Sequence, residues 1–414
     1  MAERRAAGVK LLSGFVRTVP IMSLLRTLPT GRLLALLASV VVIAAGGTAI
    51  ALGAVGGGGP VPPAKPLAGA VHDAISAPAV NGITARITFT NKLIDSASLE
   101  GGGPLLKGAK GRLWLGDGGK LRLELQTDNG DAQIVSDGTG AWVYDSGSHT
   151  VYRGKLPHEN PAAKADEKPP TLAGVQKHLT ELAKTTDLSG ATPGNVAGRP
   201  AYTVRISPKH DGGLLGAGAL SWDAAKGVPL RAAVYAQGSS TPVLELKADH
   251  ISYGKVPASA FDVSPPSDAK VVNVDVPSGE AAGAKHATEK AVTGVGPVSK
   301  ALPFKLSAPA TLVGLPRHQV RLVDWKGAKA AVGTYGQDLG GMVVIEQPAE
   351  PAAGTPARRE RGGLRLPKVS INGATGEELD TALATMIRFQ RGGVAYTVLG
   401  SVPPAAAQAA ARGL

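Results

Sequence analysis

GRLWLGDGGKLRLELQTDNGDAQIVSDGTGAWVYDSGSHTVY, residues 111–152, is the stretch whose reading decides the fold. Apolar and polar residues alternate in it, as in Leu121–Leu125 (LRLEL), which is the period of a strand with one face buried. Short turn signals separate the runs: Asp117-Gly118-Gly119, Asn129-Gly130, Asp137-Gly138 and Ser146-Gly147. Strands joined by turns this short are antiparallel neighbours, because a parallel crossover needs about a dozen residues or more. The stretch therefore reads as an antiparallel meander and excludes a βαβ fold.

The pattern extends outward in both directions. Upstream, Ile83, Ala85, Ile87 and Phe89 alternate with Thr84, Arg86, Thr88 and Thr90. Downstream, the alternation returns in Tyr202–Ile206, Ala219–Trp222, Leu230–Tyr235 and Val243–Lys247, which extends one long meander. Two amphipathic helices interrupt it. Residues 67–77 place Leu67, Ala70, Val71, Ala74 and Ile75 on one face, and residues 171–185 do so with Leu172, Val175, Leu179 and Leu182, with Thr171 as N-cap. The fold class is α+β, a large curved antiparallel sheet with two short helices available to plug its concave side.

Residues 273–300 lack aromatics and any sustained period and read as a linker. A smaller α+β domain, 301–414, follows it. Strands are expected at His318–Val323, Ala330–Tyr335, Met342–Gln347, Thr385–Gln390 and Val394–Leu399, with Arg391-Gly392-Gly393 as a hairpin and a last helix over Pro403–Arg412. Residues 348–363 read as a basic loop.

The N-terminal part fixes the expected compartment. Leu33 to Val55 is uncharged over 23 residues, which as a helix spans about 34 Å, enough for a hydrocarbon core of about 30 Å. Arg4, Arg5, Lys10, Arg17, Arg26 and Arg32 precede it against the single acid Glu3. The positive-inside rule places residues 1–32 in the cytoplasm and the bulk outside, on a single-pass anchor at 33–55 and a spacer at 56–66. A cleaved secretory signal is the competing reading, with Ala49-Ile50-Ala51 as cleavage site and Met22 as an alternative start. The length of the apolar stretch favours a retained anchor.

The formal net charge is +12 over 414 residues. Beyond the N-terminal segment the charge forms no dense basic block with interleaved aromatics, which argues against nucleic-acid binding. The chain has no cysteine, which excludes disulfides, thiolate metal sites and an acylated cysteine anchor. The eight histidines never approach closer than nine residues, as between His149 and His158, so none has helical metal spacing. Nucleophile-elbow, phosphate-loop and zinc-protease motifs are absent from the sequence. Gly116 to Lys120 reads as a hairpin turn, and Asp137 and Asp145 near His149 read as turn-capping residues. No cofactor and no enzymatic activity are expected.

A large curved sheet covered in part by two small helices leaves two alternatives. Its concave face is a packed core, which periodicity alone favours, or it is a pocket for an acyl chain. At about 0.8 kcal/mol per buried CH₂, a 16-carbon chain gains on the order of 10 kcal/mol.

The stretch 111–152 resembles the outer-membrane lipoprotein carrier (LolA-type) family, through Ile134, Val135, Ser136, Asp137, Gly138, Trp142, Tyr144, Asp145 and Val151. Phe261–Pro266 is similar to that family's last strand. The resemblance covers 67–272 and implies an open half-barrel whose lid closes over a cavity for lipid acyl chains or a lipoprotein. Ile83, Ile87, Phe89, Leu113, Leu121, Leu123, Ile134, Trp142, Leu179 and Leu182 are the candidates for core or cavity lining. Tyr335–Gln347 and Val394–Leu414 resemble the second domain of periplasmic regulators of extracytoplasmic sigma factors (RseB-type). That resemblance implies lipid sensing and a membrane anti-sigma protein as partner.

Overall fold

The computed structural model describes residues 59–94, 108–128, 130–155, 170–209, 212–274, 292–325, 328–337, 340–349 and 366–414. The expected anchor at 33–55, the loop read at 348–363 apart from its first two residues, and most of the stretch read as a linker lie outside them. No helix among the described residues is long and apolar enough to cross a membrane.

Two sheets, each with helices against it, make up the α+β architecture. Helix α1 (Leu67–Ser76) leads into β1 (Ile83–Asn91), β2 (Ala109–Gly116), β3 (Lys120–Thr127), β4 (Gly130–Asp137), β5 (Gly140–Asp145) and β6 (Thr150–Lys155). Helix α2 (Leu172–Leu182) separates these from β7 (Thr186–Leu188), β8 (Thr192–Val196), β9 (Arg199–Pro208), β10 (Leu215–Asp223), β11 (Pro229–Ala236), β12 (Leu244–Tyr253) and β13 (Lys270–Asn273). The Thr171 hydroxyl accepts from the Gly174 N–H at the start of α2, as an N-cap should.

The order β13-β6-β5-β4-β3-β2-β1-β12-β11-β10-β9-β7, with β8 also on β9, corrects the expectation of a single meander. There are two meanders, and they meet where β12 docks on the free edge of β1, Ile83 opposite Tyr253 and Phe89 opposite Leu246. Asp249 is an extra residue in that pairing and receives a hydrogen bond from the Thr88 hydroxyl at 2.6 Å. A bulge of this kind bends a strand and helps the sheet curl.

Phe261–Pro266 is not a strand. Residues 254–269 run across the sheet on the face opposite Ile134, where the Arg122 guanidinium donates to the Ala260 carbonyl at 2.9 Å and the Phe261 ring lies against Gly116. His149 meets Asp268 at 3.1 Å before the chain enters β13, which pairs parallel to β6. This strap is the last leg of the long crossover from β6 to β13, carrying the chain from β12 to the β6 edge.

The second sheet contains β14 (Thr311–Leu312), β15 (Leu315–Trp325), β16 (Ala328–Tyr335), β17 (Met342–Pro348), β18 (Lys368–Ile371), β19 (Ala374–Asp380), β20 (Thr385–Arg391) and β21 (Val394–Gly400). Its order is β14-β15-β16-β17-β21-β20-β19-β18. Helix α3 (Val295–Ala301) begins within the stretch read as a linker, and its buried Val298 packs with Val320 and Ala331. Helix α4 (Pro404–Arg412) seats Ala407, Ala410 and Ala411 on the sheet with nothing exposed. Their small side chains let the helix lie close.

The two sheets touch at strand ends. The Leu214 N–H donates to the Ser401 carbonyl and hydroxyl oxygens, both at 3.0 Å, and the Ala382 N–H donates to the Leu93 carbonyl at 2.8 Å. Gly213, at φ +60°, lies so close to the Ser401 backbone that a Cβ has no room.

Candidate functional site

Strand register assembles the inner face of the first sheet. Ala85, Leu113, Leu123, Ile134, Val143, Tyr152 and Val272 stand in one row across seven strands. Paired residues point to the same side, so this row is a continuous apolar band. Of the ten candidates, Ile83, Ile87, Phe89, Leu121, Leu123 and Ile134 are buried in one cluster, and Leu113 packs on its margin half-buried. The structure separates the other three. Trp142 pairs with Val135, not Ile134, and stands on the strap side of the sheet. Leu179 belongs to the cluster beneath the helices, and Leu182 is half-buried at the end of α2.

The helices cover a different part of the sheet from the band. Ala70 and Val71 of α1 and Val175 and Leu179 of α2 cluster with Tyr202, Val204 and Trp222 of β9 and β10. The Tyr202 hydroxyl donates to the Pro63 carbonyl at 2.6 Å, fastening the segment before α1 to this face. Among the described residues, the β1–β6 cluster has no helical member. Val196, Ala201 and Leu230 of the second meander contribute to it instead.

Between the two clusters the same face is underfilled. Register aligns Val204, Leu220, Ala232, Leu246 and Phe89 in one row and Ile206, Gly218, Val234 and Leu244 in the next. The ends of the first row are buried, but Leu220 and Leu246 are only half-buried and Ala232 is exposed. In the second row Ile206, Val234 and Leu244 are half-buried, and a Cβ added at Gly218 would meet nothing within 4 Å. The result is an apolar trough floored by β9–β12, with packed walls on either side. Sequence reasoning missed it, although the alternation in Leu230–Tyr235 and Val243–Lys247 held the signal.

Polar groups around the trough are nearly all satisfied. On the opposite face Arg231 pairs with Glu245 at 2.5 Å and donates to the Tyr235 hydroxyl at 2.9 Å. Thr203 and Ser221 hydrogen-bond at 2.7 Å. Asp223 accepts from the Ala225 and Lys226 N–H groups and from the Tyr253 hydroxyl at 2.8 Å. Burial and that carboxylate push the Tyr253 phenol well up. The exception is Trp222, 4% exposed, whose buried indole Nε1 has no hydrogen-bond partner.

The acid–histidine group of the β4–β6 hairpins is structural. One Asp137 carboxylate oxygen accepts from the N–H groups of Thr139 and Gly140, both at 2.7 Å, and from the Thr139 hydroxyl. These donors, the Gly140 N–H foremost, hold its carboxyl below the usual range. Asp145 accepts from the Gly147 N–H and the Ser148 hydroxyl, and His149 Nδ1 meets the Tyr144 hydroxyl at 3.1 Å. Among the described residues no group of three or more His, Asp or Glu is placed to hold a metal ion.

No family model matches the chain, and no curated protein matches it. Among solved structures, the crystal structure of MucB in complex with MucA(peri) is similar at 15% identity and a TM-score of 0.36, over 80% of this chain and 92% of that one. MucB by itself gives 16% identity and 0.32, over 83% and 96%. A putative outer membrane lipoprotein-sorting protein domain from Vibrio parahaemolyticus gives 9% and 0.20, over 47% and 94%. All three scores lie below 0.5.

Proposed function

We propose that the first sheet binds the hydrocarbon chain of a lipid or lipoprotein in the β9–β12 trough, on the outer side of a membrane to which residues 33–55 tether the chain. The observation that carries this is the open, apolar space at Gly218 between two well-packed clusters. Soluble proteins seldom leave contiguous apolar surface uncovered without a use for it. A guest chain in the trough removes Leu220, Val234, Leu244 and Leu246 from water along with its own methylenes, each worth about 0.8 kcal/mol. The role is binding, not catalysis. In the test, the full-length chain in nanodiscs is irradiated with a diazirine-bearing palmitate and the labelled peptides are mapped. Label is expected on β10–β12, and label confined to residues 33–55 overturns the reading.

A sensing role is favoured over simple carriage by one observation. Leu214 directly precedes β10 and Leu93 lies two residues beyond β1, and both bond to the second sheet. A guest that orders these strand ends acts on the contact between the sheets, and a membrane anti-sigma protein is the partner that would read it. Slower amide exchange at Leu214 and Ala382 on adding palmitate is the expected sign, and unchanged exchange at both removes the sensing role.

A further inference from the structure

Among the described residues one buried side-chain polar atom has no hydrogen-bond partner, the indole Nε1 of Trp222. Trp222 lies in β10, paired with Tyr202 of β9, and the two rings stand 6.3 Å apart beneath the segment that leads into α1. Its indole nitrogen is a donor and nothing else. A buried N–H left unmade carries a desolvation penalty that a native fold seldom retains without a reason. No group of the chain takes that bond. The Tyr202 hydroxyl hydrogen goes to Pro63, Asp223 accepts from Tyr253 and two turn amides, and Val71, Leu220 and Val204 of the same cluster are hydrocarbon.

We propose that Trp222 Nε1 donates to the acyl carbonyl oxygen of the bound chain and so fixes which end of the guest lies beneath α1. This rests on the trough being an acyl-chain site. Trp222 and Leu220 share a face with Gly218, and four residues of strand separate Gly218 from Trp222, about 13 Å. A chain laid along β10 therefore has its methylenes over Leu220 and Ala232 and its carbonyl at the indole. The recognised group is the carbonyl next to a long alkyl tail, whether it belongs to a glycerolipid ester or to the amide of an N-acylated protein. The site selects against a tail joined by an ether.

The test measures competition for the palmitate cross-link on the full-length chain by three ligands of equal tail length. These are 1-palmitoylglycerol, 1-O-hexadecylglycerol and N-palmitoylethanolamine. The ester is expected to displace the label at a concentration about tenfold lower than the ether, the value of one otherwise unmade hydrogen bond. Trp222→Phe is expected to remove that preference by weakening the carbonyl-bearing ligand and leaving the ether unchanged. An ester-only advantage assigns the site to glycerolipids, and an equal advantage for the amide extends it to acylated proteins. Equal displacement by ester and ether in the unmodified chain overturns the role of Trp222 and leaves the trough standing. Failure of all three to displace the label overturns the trough itself. The comparison of ligands on the unmodified chain needs no variant, so misfolding of Trp222→Phe would not obscure the result.

Discussion

The two sheets are made from the same material and filled to different degrees. Both are curled, mostly antiparallel, and backed by short helices. Six of the nine bulkiest fully buried side chains among the described residues belong to the smaller sheet and its helices: Tyr335, Met342, Ile371, Ile387, Val298 and Val344. The larger sheet holds Ile134, Val151 and Val204. In the second sheet α4 presses three alanines onto the strands, and Phe389 stacks on Tyr396 at 4.9 Å. In the first, leucines remain half-buried and Trp222 keeps an unmade bond. A filled interior holds a structure, and an underfilled one is available to a guest.

The sharpest way to break this contrast is to truncate a side chain in each interior. Ile387→Ala should destabilise the chain by about 3–4 kcal/mol, since a sealed core cannot collapse around the void. Leu246→Ala should lose only about 1 kcal/mol, because its side chain is already half in water. Urea midpoints measure both, and equal losses would mean that the two interiors are filled alike.

The second sheet has one weak point of its own. Glu346 of β17 is buried at 3% exposure, pairs with Ala331 and Tyr396 on the core face, and accepts only the Ser307 N–H at 2.8 Å. Burial pushes its carboxyl up to about 7 from an ordinary value of 4.5, against a smaller lowering by that N–H. Between those values the folded chain holds a proton that the unfolded chain has released. Stability therefore falls as pH rises through this window and levels off above it, by on the order of 3 kcal/mol. Glu346→Gln should flatten the profile of urea midpoint against pH from 4.5 to 8.

The smallest effect tests the first sheet. Gly218→Leu should fill the trough, lower palmitate labelling of β10–β12 about tenfold, and leave the unfolding free energy from urea titration within about 0.5 kcal/mol of the parent value. A large loss of stability would show that the space is not open.

Much of the fold was legible because its signals are local. Alternation and turn residues located β1 to β6 and β9 to β12, and the Thr171 cap and apolar spacing located α2. The β18–β19 hairpin was missed although it carries a strong signal, Asn372-Gly373, with both residues at positive φ between paired Ile371 and Ala374. Helix α3 was missed because Val295–Ala301 contains Gly and Pro and is held by packing of Val298, not by propensity. Short strands β7, β8 and β13 exist only as partners of β9 and β6, and nothing in their own sequences demands them. Little of the candidate site was legible. Seven of the ten candidates come together in the packed cluster of β1–β6, and of these Phe89 alone stands in a row of the trough. Trp142 lies on the other face because Val135, its partner, alternates with Ile134.

The sequence by itself determined which segments are strands, which of their residues turn inward, and that the chain carries an uncharged span at 33–55. These follow from the two-residue period of a strand and the length of a helix, properties of a few neighbouring residues. Only the tertiary structure decided that β12 closes onto β1, that the helices cover β9 and β10, and that the space over Gly218 stays empty. Those depend on what meets an inward-facing side chain from across the fold, and an apolar residue has the same sequence pattern whether its neighbour fills the gap or leaves it for a guest.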